Sequence, residues 1–371
     1  MKKILYVANI TQHIIRFHLP YLNWFKEQGY EVHVAANGND KIESCDVFYN
    51  IPIQRTPFSS KNFEAYHKLS RIINENKYEL VIGNTSIAAG LARLAGREAR
   101  GNGTKVIFFS HGLNFYKGAP VKSWLIFYPL ERFFAFFTDK FITINTEDYN
   151  RLSKWYPRKV HKINGVGVKN ERFCPVDLPI KNDYRKDLNY SEKDFILIYT
   201  AEFIDRKNHR FIIDSTIELA KKIPNIKVLF LGRGALLDPM KKYATYKNVD
   251  KYIDFLGFRT DVPKLITISD IGISASKVEG LGLNIAEEMF MALPIVATID
   301  KGHKELVEQG VNGYLFEQNN QQQFVEFICK LGASPELRLE MGKQSVILAQ
   351  KFGLESSMSQ FTDIINPLLK K

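Results

Sequence analysis

Short apolar runs rich in β-branched residues alternate along the first half of the chain with longer stretches of helical spacing. Residues 3–8 read as a first buried strand, followed by a polar loop to about Ile15. Phe17, Leu19, Leu22 and Phe25 recur at helical intervals, which predicts a helix over residues 17–28 stopped by Gly29. Residues 30–36, 80–83, 105–109 and 140–144 are further strand candidates, with helical stretches between them. Strands buried on both faces read as continuous apolar runs, so this rhythm predicts an α/β fold with a parallel sheet covered by helices on both sides.

The rhythm breaks after Phe173. The segment 174–179 carries Pro175 and Pro179 and has no periodicity, which marks a linker. Alternation then restarts: strands at 195–200, 227–232, 252–256, 271–274 and 295–298, and helices at 208–222 and 284–292. The expectation is two nucleotide-fold domains: an N-terminal one over residues 1–178 and a C-terminal one over 179–351. Residues 352–371 are expected to return to the first; 361–369 has helical spacing, which by itself does not show where the helix packs. Ligands of such sheets sit outside the carboxyl ends of the strands.

Composition narrows the reading only slightly. The 371 residues are too many for one core, and 51 Lys+Arg against 40 Asp+Glu leave a net charge of +11. That excess suits phosphates, an anionic lipid surface or nucleic acid, and equally a plain solubility surface. Cys45, Cys174 and Cys329 show no pairing or metal-ligand spacing, which fits a reducing cytoplasm. The lysines and apolar run at the start superficially resemble a signal peptide, but the run stops after Ile10 with no small-residue cleavage site.

The most informative segment runs from Ser274 to Glu287, where a strand enters a loop containing Gly280 and Gly282 and then a helix. Glycines allow close backbone approach to a ligand, and the free N–H groups of a helix start suit a diphosphate. Glu279 in the loop and Glu287 about one turn into the helix can border one ligand, accepting hydrogen bonds from sugar or ribose hydroxyls. An acidic helix start with no ligand has the same spacing.

The Glu279-x7-Glu287 pair, in its EGLGL…EE setting, resembles the family 4 glycosyltransferases. Residues 294–298, 305–307 and 312–316 look like that family's continuation, and 164–168 with 172–175 resemble its interdomain signature. The resemblance implies a GT-B fold, two facing Rossmann-like domains with the donor on the C-terminal one and the acceptor on the N-terminal one. It implies that Glu279 faces the donor sugar and Glu287 the ribose. Gly280, Leu281, Gly282 and Leu283 would line the donor site, the last two offering N–H groups to the diphosphate. Phe258 would lie beside the base.

Many relatives carry an arginine five residues before Lys207; here that position is Glu202. The Arg206-Lys207-Asn208-His209 loop resembles a bacterial surface-polysaccharide branch, with Lys207 as the main diphosphate cation and Arg206 beside it. Glu202 is expected to point away or to pair with a basic neighbour. His111, after the strand at 105–109, resembles the histidine that family members place against the donor sugar. His13 and His18 are divided between acceptor contacts and helix packing. Residues 122–137 hold many aromatics among cations, including Trp124 and Phe127, which suits shallow docking on an anionic membrane; a buried helix kinked at Pro129 is the alternative.

The resulting expectation is a retaining transferase. It moves a hexosyl or N-acetylhexosaminyl group from a UDP-sugar to a lipid-diphosphate-linked saccharide in bacterial capsule, exopolysaccharide or O-antigen assembly. It works peripherally at the cytoplasmic face of the membrane, with no cofactor and no metal. The alternatives are a nucleotide-sugar 2-epimerase or polymer synthase of the same fold and, from charge alone, a non-catalytic nucleic-acid-binding protein; no nucleic-acid motif is present.

Overall fold

The computed structural model describes residues 1–369. Strands β1 (Lys3–Ile10), β2 (Glu31–Asn37), β3 (Val47–Asn50), β4 (Leu80–Asn84), β5 (Lys105–Ser110), β6 (Lys140–Thr143) and β7 (Val160–Lys162) form one sheet. Its order is β3-β2-β1-β4-β5-β6-β7. Strands β8 (Phe195–Thr200), β9 (Ile226–Leu231), β10 (Ile253–Gly257), β11 (Ile271–Ser274), β12 (Ile295–Thr298) and β13 (Gly313–Phe316) form a second, ordered β10-β9-β8-β11-β12-β13. Every pairing within both sheets is parallel. In each sheet the order reverses beside the first strand of its half, between β1 and β4 and between β8 and β11.

The long central strands match the apolar runs because both faces are covered: Ile4, Leu5, Tyr6, Val7 and Ala8 have no exposed surface. β3 and β7 escaped the pattern. They are four- and three-residue strands at the two edges of the sheet, only partly buried and too short to show a period.

The first turn of the chain differs from expectation. A helix, Thr11–Phe17, follows β1 directly in place of a polar loop, burying Thr11 and Ile14. The anticipated helix over 17–28 begins instead at Leu19 and runs to Glu27. The two helices part at His18 (φ −122°, ψ −3°). Pro20 explains the break: it has no N–H to bond the carbonyl four residues back, whereas the first turn of a new helix needs none.

The contacts divide the chain into two units, residues 1–166 with 357–371 and residues 167–356. These boundaries differ from those expected at 178/179 and 351/352. Val168 binds the backbone of Phe352 (2.9 Å) and Leu354 (2.8 Å), which draws residues 167–178 into the second unit. Gly167 (φ +83°) permits this approach, since a Cβ there would lie 2.6 Å from the Leu354 Cα. The closing helix is Leu354–Ile365, earlier than expected. Its Phe361 is buried in the first unit against Tyr21 (ring centroids 4.7 Å apart) and Phe109 (6.0 Å).

Candidate active site

In the second unit, the loops that leave β8 and β11 meet where the strand order reverses. Tyr199 fastens them: its hydroxyl reaches the Lys207 carbonyl (2.7 Å) and the Ser276 Oγ (2.9 Å). The Lys277 N–H donates to the Arg206 carbonyl at 2.8 Å. These bonds bring three charged side chains together. Arg206 Nη1 donates to the Val278 carbonyl (2.6 Å) and to Glu279 Oε2 (3.1 Å), and the Lys207 ammonium donates to Glu279 Oε1.

Glu279 is only 8% exposed. Burial acts to raise its pKa, but the charges of Lys207 and then Arg206 outweigh it and hold the carboxyl at about 2. It is therefore a fixed carboxylate. Glu202 is exposed.

The helix Leu283–Phe290 starts from Gly282 in the left-handed region (φ +103°). The N–H groups of Leu283 and Asn284 have no acceptor within the helix, while those of Ile285 and Ala286 bond the Gly282 carbonyl, and no acidic side chain occupies its first turn. Glu287 is half-buried on this helix, and burial lifts its pKa to about 7, with Arg172 opposing. Glu288 beside it is wholly buried, its pKa pushed well up by burial and by Glu287. It fits because Gly272 of β11 leaves it room: a Cβ there would lie 2.2 Å from Glu288 Oε2. Phe258, 62% exposed after β10, carries the Arg233 guanidinium over its ring at 5.3 Å.

In the first unit, His111 directly follows β5, and the chain turn at His18 and the helix carrying His13 bring two more imidazoles to it. His18 Nε2 and His111 Nε2 are 2.8 Å apart, and the His13 and His111 ring centroids 4.4 Å. Ring nitrogens of all three lie within 4.8 Å of one another, close enough to hold a metal ion by distance alone. Burial depresses all three pKa values, His13 to about 4 and His18 and His111 well below the ordinary imidazole value, so the rings are neutral at pH 7.

The aromatic segment forms the helix Val121–Phe134 and a short turn, Ala135–Phe137. Trp124 and Phe127 face inward, packing with Tyr128 on a core that includes Phe115 and Phe141. A buried bidentate pair, Arg93 to Glu131 (2.5 and 2.9 Å), anchors the helix. The outward face carries Val121, Leu125, Phe133 and Phe136, from 48 to 74% exposed. Trp124 and Phe127, the residues expected at a membrane surface, are instead partly buried against this core, because aromatic content does not say which way a ring points. Among the described residues no helix is long and apolar enough to cross a membrane.

Structure thus unites Arg206, Lys207 and Glu279 in one unit and His13, His18 and His111 in the other. It adds Arg233, which no sequence signal singled out, and the burial of Glu288, the second acid of the EE pair. Arg233 stands between two glycines in a loop, and Glu288 looks like one more helix-surface acid until its burial is seen.

Residues 180–346 match the family described as Glycosyl transferases group 1, and residues 3–145 match Glycosyl transferase 4-like. The chain is 39% identical over 366 residues to the glycosyltransferase-type protein EpsD of Bacillus subtilis, covering 98% of this chain and 96% of that one. The chain belongs to the family 4 glycosyltransferases. This glycosyltransferase is also 26% identical over 297 residues to an Escherichia coli UDP-Gal:α-D-GlcNAc-diphosphoundecaprenol α-1,3-galactosyltransferase, covering 78% of this chain and 75% of that one. Anabaena HepE, solved with UDP-glucose, shares the GT-B fold with it at a TM-score of 0.79 and 18% identity over 99% of each chain. The expected two-domain α/β architecture with parallel sheets is the one observed.

Proposed function

We propose that this glycosyltransferase moves a sugar, with retention of anomeric configuration, from a UDP-sugar to a lipid-diphosphate-linked saccharide in surface-polysaccharide assembly. One observation carries the donor half: Lys207 and Arg206 converge on buried Glu279 beside a helix start with free N–H groups, at the strand-order reversal of the second sheet. A UDP-sugar brings a diphosphate that needs cations and N–H donors, and a sugar whose hydroxyls need a carboxylate. As the glycosidic bond breaks, negative charge grows on the diphosphate, and preorganised Lys207, Arg206 and backbone N–H groups stabilise it without reorganisation. Glu279 supports the sugar as it becomes cationic, Glu287 receives the ribose hydroxyls, and Phe258 flanks the base. In the first unit, His111 is the candidate contact for a sugar hydroxyl.

The acceptor class rests on the similarity to the E. coli galactosyltransferase, whose named acceptor is a diphosphoundecaprenol-linked sugar. An acceptor of that kind is held in a bilayer. The exposed Val121, Leu125, Phe133 and Phe136, with Lys122 on the same helix and the net charge of +11, suit shallow contact with an anionic membrane surface at its cytoplasmic face.

UDP titrated against thermal unfolding, then a panel of UDP-sugars with a polyprenyl-diphosphate saccharide, tests the reading. The expected result is a rise in Tm with UDP and a product whose new linkage keeps the donor's anomeric configuration by NMR. No shift at millimolar UDP, or conversion of the UDP-sugar to an isomer with no acceptor present, would overturn it.

A further inference from the structure

The three histidines of the first unit are held too tightly to be interchangeable, and their hydrogen bonding fixes where the protons sit. His18 and His111 meet through Nε2 of each ring at 2.8 Å. Both are neutral, so one nitrogen donates and the other accepts. The other nitrogen of His18, Nδ1, is buried with no partner. A buried N–H left unpaired is rarer and costlier than a bare lone pair, so the His18 proton belongs on Nε2.

We propose that His18 is a positioning residue that donates from Nε2 to His111 Nε2 and thereby locks His111 as the Nδ1–H tautomer. His111 then presents a neutral N–H donor from a ring that cannot turn. Phe109 stacks on it at 5.3 Å and 24°, His13 meets it edge-on at 4.4 Å and 74°, and Phe17 closes at 5.6 Å. With Nε2 engaged and Nδ1 protonated, His111 has no free lone pair and is not a general base. Its ligand is an acceptor oxygen, such as a sugar hydroxyl; this last step rests on the function proposed above.

A metal ion fits the pair less well. Two nitrogens at about 2.0–2.1 Å from one tetrahedral zinc lie well over 3 Å apart, whereas 2.8 Å is ordinary hydrogen-bond length.

Long-range 15N–1H correlation spectra of the full chain labelled with 15N-histidine read the tautomers directly. The expected pattern is Nε2–H for His18 and Nδ1–H for His111 in the wild type, with His111 losing its single tautomer in His18→Leu. In activity, His18→Gln keeps an amide N–H near the Nε2 position and should stay within about threefold of wild type, whereas His18→Leu should lose about tenfold or more in kcat with the donor KM little changed. An Nε2–H tautomer at His111, equal damage in both variants, or stoichiometric zinc in the purified protein with activity lost to chelator would overturn the proposal. If His18→Leu does not fold, the wild-type and His18→Gln spectra still decide it. Full activity of His111→Ala with the tautomers as stated would reject the role of His111 in transfer and leave the tautomer assignment standing.

Discussion

Lys207 and Glu279 form an ion pair across 72 positions of sequence, with side chains only 12% and 9% exposed. The pair couples a diphosphate cation to the carboxylate proposed for the sugar. Loss of Lys207 removes a donor to the leaving group and strips a buried carboxylate of its principal counter-charge. Lys207→Ala should therefore lower kcat/KM by on the order of 2–4 kcal/mol of transition-state stabilisation. Arg206→Ala, whose side chain is 43% exposed, should cost less. Lys207→Ala combined with Glu279→Gln should cost less than the sum of the two, since each already breaks the same contact. Steady-state kinetics on one UDP-sugar checks all three, and near-normal turnover of Lys207→Ala would place the diphosphate elsewhere.

Glu287 titrates near neutrality, at about 7, because burial disfavours its charge. As a ribose acceptor it works best ionised, so UDP affinity should rise as pH increases through 7. Glu287→Gln should weaken UDP binding and remove this component of the pH dependence. Calorimetric titrations from pH 6 to 8.5 on both proteins, with the phosphate ionisation of UDP common to the two, isolate the difference.

Glu288 should make the fold weaker as pH rises. Its pKa is raised on folding, so between the ordinary glutamate value and its folded value the native state holds a proton that the unfolded chain has released. Stability falls with pH across that window. Glu288→Gln keeps the shape without the charge. It should match wild type below pH 4.5 and gain on it above, by up to about 1.4 kcal/mol per pH unit within the window. Urea unfolding at several pH values shows the two stabilities diverging, or refutes the assignment if they run parallel.

The two faces of the helix Val121–Phe134 and the turn after it should separate by mutation. Leu125→Ser with Phe136→Ser should release the protein from anionic vesicles while leaving Tm nearly unchanged. Trp124→Ser should instead lower Tm, because Trp124 packs on Phe115 (5.6 Å) and beneath the Arg151 guanidinium (4.7 Å). Vesicle sedimentation and thermal melts distinguish them. Unaltered binding of the double variant would leave that face without a membrane role.

Sequence alone determined the alternation of strand and helix, the two-sheet architecture and the loop bearing Glu279 and Glu287. Strands enclosed on both faces must be continuously apolar, and a ligand loop at a helix start must hold small residues; both demands are local and leave a mark in order along the chain. Tertiary structure decided the rest. Which cation meets Glu279 depends on two loops separated by some 70 residues, and Tyr199 closes that gap with hydrogen bonds that have no sequence period. His18 became a partner of His111 only because Pro20 breaks the helix beside it and turns its ring inward, 93 positions from the ring it touches. The outward face of the aromatic helix and the unit boundary at Val166 likewise follow from what packs beneath them. Burial, charge pairing and tautomer are properties of neighbours in space, and the fold supplies those neighbours.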